Sequence, residues 1–285
     1  MRLIPLAVLS LALTGPLAGQ DIVGRNETTF TLSEAVGEGA WVRIATFNGR
    51  VEITQGSGRR VEIRAVKNIR RGETSDIGFV VRRVEGGITV CAVWVDQDEC
   101  SGEGNMQSGD RSGNWSRTHQ GQVEFTVQIP AGVRVKAASG NGDVRVAGAG
   151  PQVIAATGNG RVMVQDAGGP VEASTGNGEI RVITVTGPVS ASSGNGAIDV
   201  SIGKLDRSTD MKFTTGNGTV TLRLPDGFGA ELDASTGNGT VSTDFPIQLR
   251  GGRLNRTRLR GILGDGGGRL SVISGNGDVE IRRQP

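Results

Sequence analysis

The stretch Ser193-Gly194-Asn195-Gly196-Ala197-Ile198-Asp199-Val200 is one copy of a unit that recurs through the second half of the chain. Its Gly-Asn-Gly triplet returns with the asparagine at Asn141, Asn159, Asn177, Asn195, Asn217, Asn238 and Asn276. Successive asparagines are 18, 18, 18, 22, 21 and 38 residues apart. A near-constant spacing of this size is typical of a stacked repeat architecture, and it outweighs every other signal in the sequence.

Apolar residues flank each triplet with a period of two. Around Asn195, Val189 and Ala191 lie upstream and Ile198 lies downstream, with mostly polar residues between them. The position two before each asparagine is always a hydroxyl residue: Ser139, Thr157, Thr175, Ser193, Thr215, Thr236 and Ser274. Strict alternation indicates a strand with one buried face. Glycine and asparagine reach φ > 0 more readily than other residues, so each repeat is predicted to be two short strands joined at a Gly-Asn-Gly corner.

Two all-β folds satisfy this parity. Asn-Gly is a strong hairpin signal, so an antiparallel meander or β-sandwich is one alternative. In a parallel β-solenoid, by contrast, Asp143, Arg161 and Glu179 would stack as neighbours of alternating charge, which stabilises a sheet modestly. The asparagine side chains could also hydrogen-bond along their column, as they do in cross-β stacks. The outward columns therefore favour the parallel β-solenoid.

Residues 1–19 are predicted to be a secretory signal rather than part of the fold. Arg2 precedes the apolar run Leu3–Leu13, and small residues follow at Gly15–Gly19. The run is too short to span a bilayer, and no cysteine follows it to carry a lipid anchor. We expect an exported, soluble mature chain without a transmembrane segment, in the periplasm, on the outer cell surface or secreted. Residues 20–130 then form an irregular N-terminal β region, and residues 131–285 form the regular repeats.

The composition agrees with an exported repeat protein. The 285 residues include 47 Gly and no Tyr, and the 31 basic and 29 acidic groups leave a formal charge of +2. This balance produces no whole-molecule field for binding nucleic acid. The alternating Val, Ile and Ala pattern argues against the disorder that a glycine-rich composition could indicate.

The N-terminal region contains a degenerate eighth copy. Trp41–Ile53 fits the template except at Phe47, where the repeats have glycine, and it is predicted to be a capping coil. Further strands are predicted at Val61–Val66, Phe79–Val84, Ile88–Val95 and Val123–Ile129. All three tryptophans, Trp41, Trp94 and Trp115, lie in this half, which predicts the widest part of the core here. Ser101–Gln122, which contains His119, is predicted to be a mobile loop.

Cys91 and Cys100 are the only cysteines. In an exported chain such a pair is most simply a disulfide. The alternative is a metal site that uses Asp96, Asp98 and Glu99, but two cysteines without histidine make a poor zinc site. The acids alone are an unspecific calcium signal. No metal or cofactor is therefore predicted.

Two insertions, at 201–210 and 244–268, interrupt the repeats. Gly264-Asp265-Gly266-Gly267-Gly268 lacks the Lys-Ser/Thr that a phosphate loop requires, so it is predicted to be a turn. Arg256, Arg258 and Arg260 alternate with Thr257 and Leu259, so a strand would place their guanidiniums on one face. Guanidinium pairs with carboxylate and phosphate, and these arginines are the candidate anion-binding residues, although a solvated, charged edge is the simpler interpretation of an arginine-rich insertion.

The sequence offers no catalytic constellation. Sugar hydrolysis needs two facing carboxylates, whereas the outward acids are scattered over several columns beside opposite charges. There is one histidine, and no nucleophile–base pair can be proposed. A hydroxyl that recurs seven times along a stack is structural rather than nucleophilic.

The run Val123–Val135, the seven Ser/Thr-Gly-Asn-Gly-x-Val/Ile units and the ending Ser274–Ile281 resemble the adhesin family of bacterial β-strand repeat proteins. Relatives of that family include the head domain of autotransporter adhesins. The resemblance covers about residues 40–283. It implies an exported β-repeat protein with adhesion as its function and without catalytic residues.

We therefore expect a non-catalytic surface-binding or scaffold protein whose partner is cell-surface polysaccharide or an envelope protein. One alternative is a carbohydrate-active enzyme, a polysaccharide lyase or hydrolase on a β-solenoid. The other is a periplasmic partner-binding domain.

Overall fold

The computed structural model describes residues 21–95, 98–109, 118–205, 210–249 and 255–284. The predicted signal segment 1–19 lies outside the described residues, and so do Asp96 and Trp115. The described part forms 26 strands and a short 3-10 turn at Thr74–Asp76.

The strands of the N-terminal region come first. They are β1 (Ile22–Val23), β2 (Thr29–Ala35), β3 (Trp41–Asn48), β4 (Val51–Gln55), β5 (Arg60–Arg71), β6 (Ile77–Val84), β7 (Gly87–Trp94), β8 (Asp98–Cys100), β9 (Met106–Ser108) and β10 (Gln120–Ile129).

The strands of the repeat region follow. They are β11 (Arg134–Asn141), β12 (Val144–Ala147), β13 (Val153–Asn159), β14 (Val162–Ala167), β15 (Val171–Asn177), β16 (Ile180–Thr186), β17 (Val189–Asn195), β18 (Ile198–Lys204), β19 (Met211–Asn217), β20 (Val220–Leu224), β21 (Ala230–Asn238), β22 (Val241–Thr243), β23 (Ile247–Leu249), β24 (Arg258–Leu263), β25 (Arg269–Asn276) and β26 (Val279–Arg283).

Two large sheets hold almost all of these strands. Sheet A has the order β1-β6-β7-β3-β11-β13-β15-β17-β19-β25-β21-β24-β23, and sheet B has the order β2-β5-β10-β4-β12-β14-β16-β18-β20-β26-β22. β8 and β9 form a separate hairpin. Each repeat supplies one strand to sheet A, turns at Gly-Asn-Gly, and supplies the next strand to sheet B.

The repeats stack in parallel and in register. In sheet A, Val153 pairs with Val135 on one side and with Val171 on the other. In sheet B, Val162 pairs likewise with Val144 and Ile180. The chain is therefore a parallel, two-sided β-solenoid, and the antiparallel meander is excluded for the repeats.

The core lies between the two sheets. Around Asn177, the inward residues Val171, Ile180 and Val182 are at most 1 % exposed. Burying an aliphatic side chain of this size stabilises by roughly 1.5–3 kcal/mol. The inward parity predicted from the alternation is confirmed.

The last coils do not stack in chain order. β25 lies between β19 and β21, and β26 lies between β20 and β22. The cause is the predicted insertion 244–268, which contains β23 and β24. Because β24 pairs antiparallel with the outer edge of β21, that edge is closed to the final repeat.

The eighth copy is present but does not cap the stack. β3 and β4 pair in parallel with β11 and β12, and Asn48 is in register with Asn141. Beyond them, β7, β6 and β1 extend sheet A while β10, β5 and β2 extend sheet B. The prediction that Trp41–Ile53 forms the capping coil is wrong. β7 and β10 still pair in parallel with β3 and β4. The strands outside them pair antiparallel and form the cap.

A cluster of phenylalanines lies in the core of this N-terminal region. The rings of Phe30 and Phe79 stack at 4.4 Å between centroids, and Phe125 meets Phe79 edge-on at 6.0 Å. Trp94 is 4 % exposed, whereas Trp41 lies half-buried on the outer side of sheet A. Of the two described tryptophans, Trp94 alone therefore lies in the core.

The predicted loop Ser101–Gln122 is partly strand. Met106–Ser108 pairs with Asp98–Cys100, and β10 already begins at Gln120. A polar, glycine-rich composition did not reveal these strands because their pairing partners lie outside the segment.

Candidate functional surfaces

Stacking distance explains the glycines of the corners. Gly178 has φ +151°, and a Cβ at this position would lie 1.9 Å from the carbonyl oxygen of Gly160 in the neighbouring coil. On the other side of Asn177, a Cβ on Gly176 would lie 2.6 Å from the oxygen of Gly158. Only glycine allows the coils to approach this closely.

The asparagines of the corners form one continuous column of hydrogen bonds. After Asn48, each side-chain amide donates to the side-chain oxygen of the preceding asparagine in the column at 2.6–2.8 Å. The column runs Asn48, Asn141, Asn159, Asn177, Asn195, Asn217, Asn276 and Asn238. The expected ladder is present, and its order repeats the insertion of the final coil.

The recurring Ser/Thr also links neighbouring coils. The Thr175 hydroxyl is buried and donates to the carbonyl oxygen of Gly160 at 2.9 Å. The other members make the equivalent bond at 2.7–3.1 Å: Ser139, Thr157, Ser193, Thr215, Thr236 and Ser274. A buried carbonyl without a partner is costly, which accounts for a hydroxyl at this position in every repeat.

The predicted disulfide between Cys91 and Cys100 is present, with a Cα–Cα distance of 6.2 Å. It fixes the β8–β9 hairpin on the outer side of sheet A. A second apolar cluster forms there, in which both cysteines pack with Ala45, Val80 and Val93.

The acids near the disulfide serve the backbone. Asp98 is 2 % exposed, and its Oδ2 accepts the Trp94 N–H at 2.8 Å. Glu99 is exposed, and Asp96 lies outside the described residues. Within the described ranges, no cluster of three or more His, Cys, Asp or Glu side chains could hold a metal ion.

The candidate anion-binding arginines lie at the C-terminal end of sheet A. Arg258 and Arg260 project from the exposed side of β24, and Arg256 lies exposed in the turn before it. Asp233, opposite Arg260 in β21, approaches Arg260 at 2.8 Å and Arg258 at 3.7 Å. Hydrogen bonding from Arg260 outweighs partial burial and holds the pKa of Asp233 below its usual value. Sequence reasoning missed this acid because it is 27 residues away along the chain.

Charges also alternate along the outer side of sheet B. Arg161 approaches Asp143 at 3.0 Å, and its backbone N–H donates to the same carboxylate at 2.9 Å. Burial alone would raise the pKa of Asp143, but the bonds from Arg161 and the charge of Arg145 lower it overall. Further along, Arg223 pairs with Asp199. The expected neighbours Asp143 and Arg161 do stack.

A cationic cluster that the sequence did not reveal lies beneath the loop after the disulfide. Arg43 is 3 % exposed, and its guanidinium lies 5.2 Å from the Trp41 ring centroid. Among the described residues, its Nη1 has no hydrogen-bond partner. Arg134 approaches the same ring at 4.9 Å. Burial lowers the pKa of Lys136, the neighbour of Arg43 in β11, against the opposing charge of Glu103.

Lys67 is a buried cation on the other side of the N-terminal region. It is 2 % exposed, and its Nζ donates to the carbonyl oxygens of Gly24, Arg25, Thr74 and Ile77 at 2.6–3.1 Å. Burial lowers the pKa of this amine to about 8. The lysine thereby joins the segment that follows β1 to the 3-10 turn and β6.

Two open grooves of about 440 and 620 Å³ occur on the described surface. Glu62 is the carboxylate of the first, between β2, β5 and β10, and Asp226 is that of the second. A glycosidase requires a pair of facing carboxylates, whereas the described residues that line each groove include a single carboxylate.

The fold and these surfaces define the chain as a two-sided parallel β-solenoid of the kind built from stacked Gly-Asn-Gly coils. A family model described as Toastrack DUF4097 matches residues 170–282. No curated protein matches the sequence significantly.

Three solved structures are similar over most of the chain. A provisionally assigned cell adhesion protein from Clostridium sporogenes is 12 % identical, covers 90 % of this chain and 100 % of its own, and has a TM-score of 0.34. Provisionally assigned adhesins from Bacteroides fragilis (12 % identity, 91 % and 99 % covered, TM-score 0.41) and Parabacteroides merdae (11 %, 91 % and 98 %, 0.34) are comparable. At these TM-scores the likeness supports no conclusion about function.

Within the described residues, no helix has the length and apolar character needed to cross a membrane.

Proposed function

We propose that this protein is an exported, non-catalytic binding or scaffold protein of the bacterial cell envelope or surface, and that it contacts acidic polysaccharide. The Cys91–Cys100 disulfide supports an oxidising compartment. The recurring hydroxyl and amide side chains are used for stacking, which leaves the outer charged surfaces for binding.

The arginine surface formed by Arg256, Arg258 and Arg260 is the observation that carries the proposal. The side chains of Arg258 and Arg260 are 51 % and 54 % exposed, and one carboxylate, that of Asp233, serves both. The surface therefore keeps an excess of guanidinium groups. Such groups bind carboxylates and other oxyanions through paired hydrogen bonds.

Retention on an immobilised acidic polysaccharide tests the proposal. The parent protein should elute at a salt concentration that falls when Arg256, Arg258 and Arg260 are all replaced by serine. Asp233→Asn should elute later than the parent, because it removes the internal anion that competes for the guanidiniums. The melting temperatures should change little, since exposed ion pairs contribute about 0–1 kcal/mol.

The matched control removes the same charge elsewhere. Arg145→Ser, Arg161→Ser and Arg181→Ser together take three arginines from the outer side of sheet B. Their elution should stay close to that of the parent. Equal losses for the two triple variants would show that net charge alone causes retention, and an unchanged elution of the Arg256/Arg258/Arg260 variant would exclude the arginine surface.

A further inference from the structure

The last repeat of the chain occupies an interior place in the stack. We name β25 and β26, residues 269–283, the final coil, and the space that it fills the slot. One wall of the slot is formed by β19 and β20, and the other by β21 and β22. Leu270, Val272, Val279 and Ile281 of the final coil are all 0 % exposed, so the coil is a central part of the core.

The hydrogen bonds that hold the final coil in the slot are made by the residues of its repeat motif, and not by the link that connects it to the rest of the chain. Asn276 pairs in register with Asn217 on one wall and Asn238 on the other, and it hydrogen-bonds to both side chains. Ser274 donates to the Gly218 carbonyl, and Thr236 donates to the Gly277 carbonyl. These bonds are the same as those between every other pair of coils.

The lengths of the links between the last strands do not require the final coil to enter the slot of its own chain. The five-residue link 225–229 joins β20 to β21 across two strand spacings, about 9.6 Å. The link 148–152 has the same length and spans one spacing. The link Gly264–Gly268 connects β24 to the final coil, and Gly264, Gly266 and Gly267 in it have positive φ. Five extended residues reach up to about 17 Å, which is more than the two strand spacings, about 9.6 Å, that separate β24 from β25 in sheet A.

We propose that the slot also accepts the final coil of a second copy of this chain, in a reciprocal exchange that forms a closed dimer. Before residues 269–283 arrive, the slot exposes the backbone edges of four strands. Open strand edges pair readily with another chain. The final coil of a second copy carries the same side chains in the same register. It can therefore make every contact with the slot walls that the chain's own final coil makes.

Two full-length variants can detect the exchange. Lys212 and Ser271 face each other across the slot wall on the outer side of sheet A, within the Cα distance that a disulfide bridges. Lys212→Cys and Ser271→Cys chains are mixed, unfolded in denaturant at acidic pH without reductant, refolded and then oxidised. A disulfide between the two variants in excess of that of the control pair described below reports the final coil of one chain in the slot of the other.

The expected result is a disulfide-linked heterodimer whose share rises roughly tenfold for a tenfold increase in chain concentration, while insertion within one chain remains the main route. The control pair is Glu172→Cys with Ser190→Cys, which face each other in the consecutive coils β15 and β17. That pair should give no heterodimer, because neither coil is a terminal element.

A heterodimer share no higher than that of the control pair would overturn the proposal. Equal and substantial shares for both pairs would also overturn it, because they would show general sheet association. As a measurement without new cysteines, the unmodified chain refolded over about a hundredfold range of concentration should give a dimer by light scattering. Deletion of Gly266 and Gly267 shortens the link and should raise the dimer share, since short, strained hinges favour swapping.

Discussion

Single residues in this protein act mainly by forming hydrogen bonds between neighbouring coils. The Thr175 hydroxyl satisfies the Gly160 carbonyl, and Asn177 connects two rungs of the amide column. Because each bond joins residues of different coils, its loss weakens the stack rather than a single strand.

Thr175→Val tests this role at nearly constant volume. The buried carbonyl of Gly160 would lose its side-chain partner, and we expect the free energy of unfolding to fall by about 1–3 kcal/mol. Ser174→Val, at the neighbouring outward position, should change it by no more than about 0.5 kcal/mol. Chemical denaturation of both variants gives the comparison, and similar losses would contradict the assigned role of the hydroxyl.

Lys67 leads to a prediction about pH. Below pH 8 the amine is charged in both the folded and the unfolded chain, so its contribution is constant. Between a pKa of about 8 in the folded chain and the ordinary lysine pKa of 10.5, the folded chain releases this proton first, and the unfolded chain binds more protons. Rising pH in that window therefore favours folding.

The measurement compares the parent with Lys67→Met from pH 7 to pH 10. The variant should be less stable at pH 7, because four carbonyl oxygens lose their donor. The stability difference, parent minus variant, should grow as pH rises above 8. A difference that shrinks would mean that the carbonyl oxygens raise the pKa of Lys67 instead.

Strands act as elements through columns of outward side chains. Parallel register brings together Asp143 and Arg161, which are 18 residues apart along the chain. The same principle in antiparallel form brings Asp233 to Arg258 and Arg260. Which charged residues pair therefore depends on which strands or coils are neighbours in the sheet, and not on how close the residues lie along the chain.

Arg161→Glu should place like charges on adjacent strands and lower stability by about 1 kcal/mol. Adding Asp143→Arg restores opposite charges but loses the bond from the Arg161 backbone, so recovery should be partial. A double-mutant cycle should give a coupling of about 0.5–1 kcal/mol. Strictly additive effects would show that the pair contributes no stability.

For the whole molecule, the narrow core makes each coil depend on its neighbours. Each parallel coil packs its inward side chains against the coils above and below it and forms backbone hydrogen bonds with both, as in other stacked repeat proteins. A defect in one coil is therefore expected to spread to adjacent coils.

Ile180→Asp tests this dependence, because it places an unpaired charge between the sheets. We expect a loss of about 3–5 kcal/mol or more, with faster hydrogen exchange in β14 and β18 on either side. Glu179→Thr changes the exposed neighbour and should leave the melting curve nearly unchanged. Comparable melting shifts for the two variants would contradict the inward assignment of Ile180.

The sequence by itself determined the strands of the repeats, their buried positions and the Gly-Asn-Gly corners, because these follow from local alternation and a fixed period. It also predicted the Asp143–Arg161 column and the Cys91–Cys100 disulfide. Only the tertiary structure decided the antiparallel cap, the Asp233 partner of the arginine surface, and the buried cations Arg43 and Lys67. It alone placed the final coil between two earlier ones. All coils carry the same register and motif, so sequence cannot choose among their neighbours, and the choice depends on which strand edge remains open.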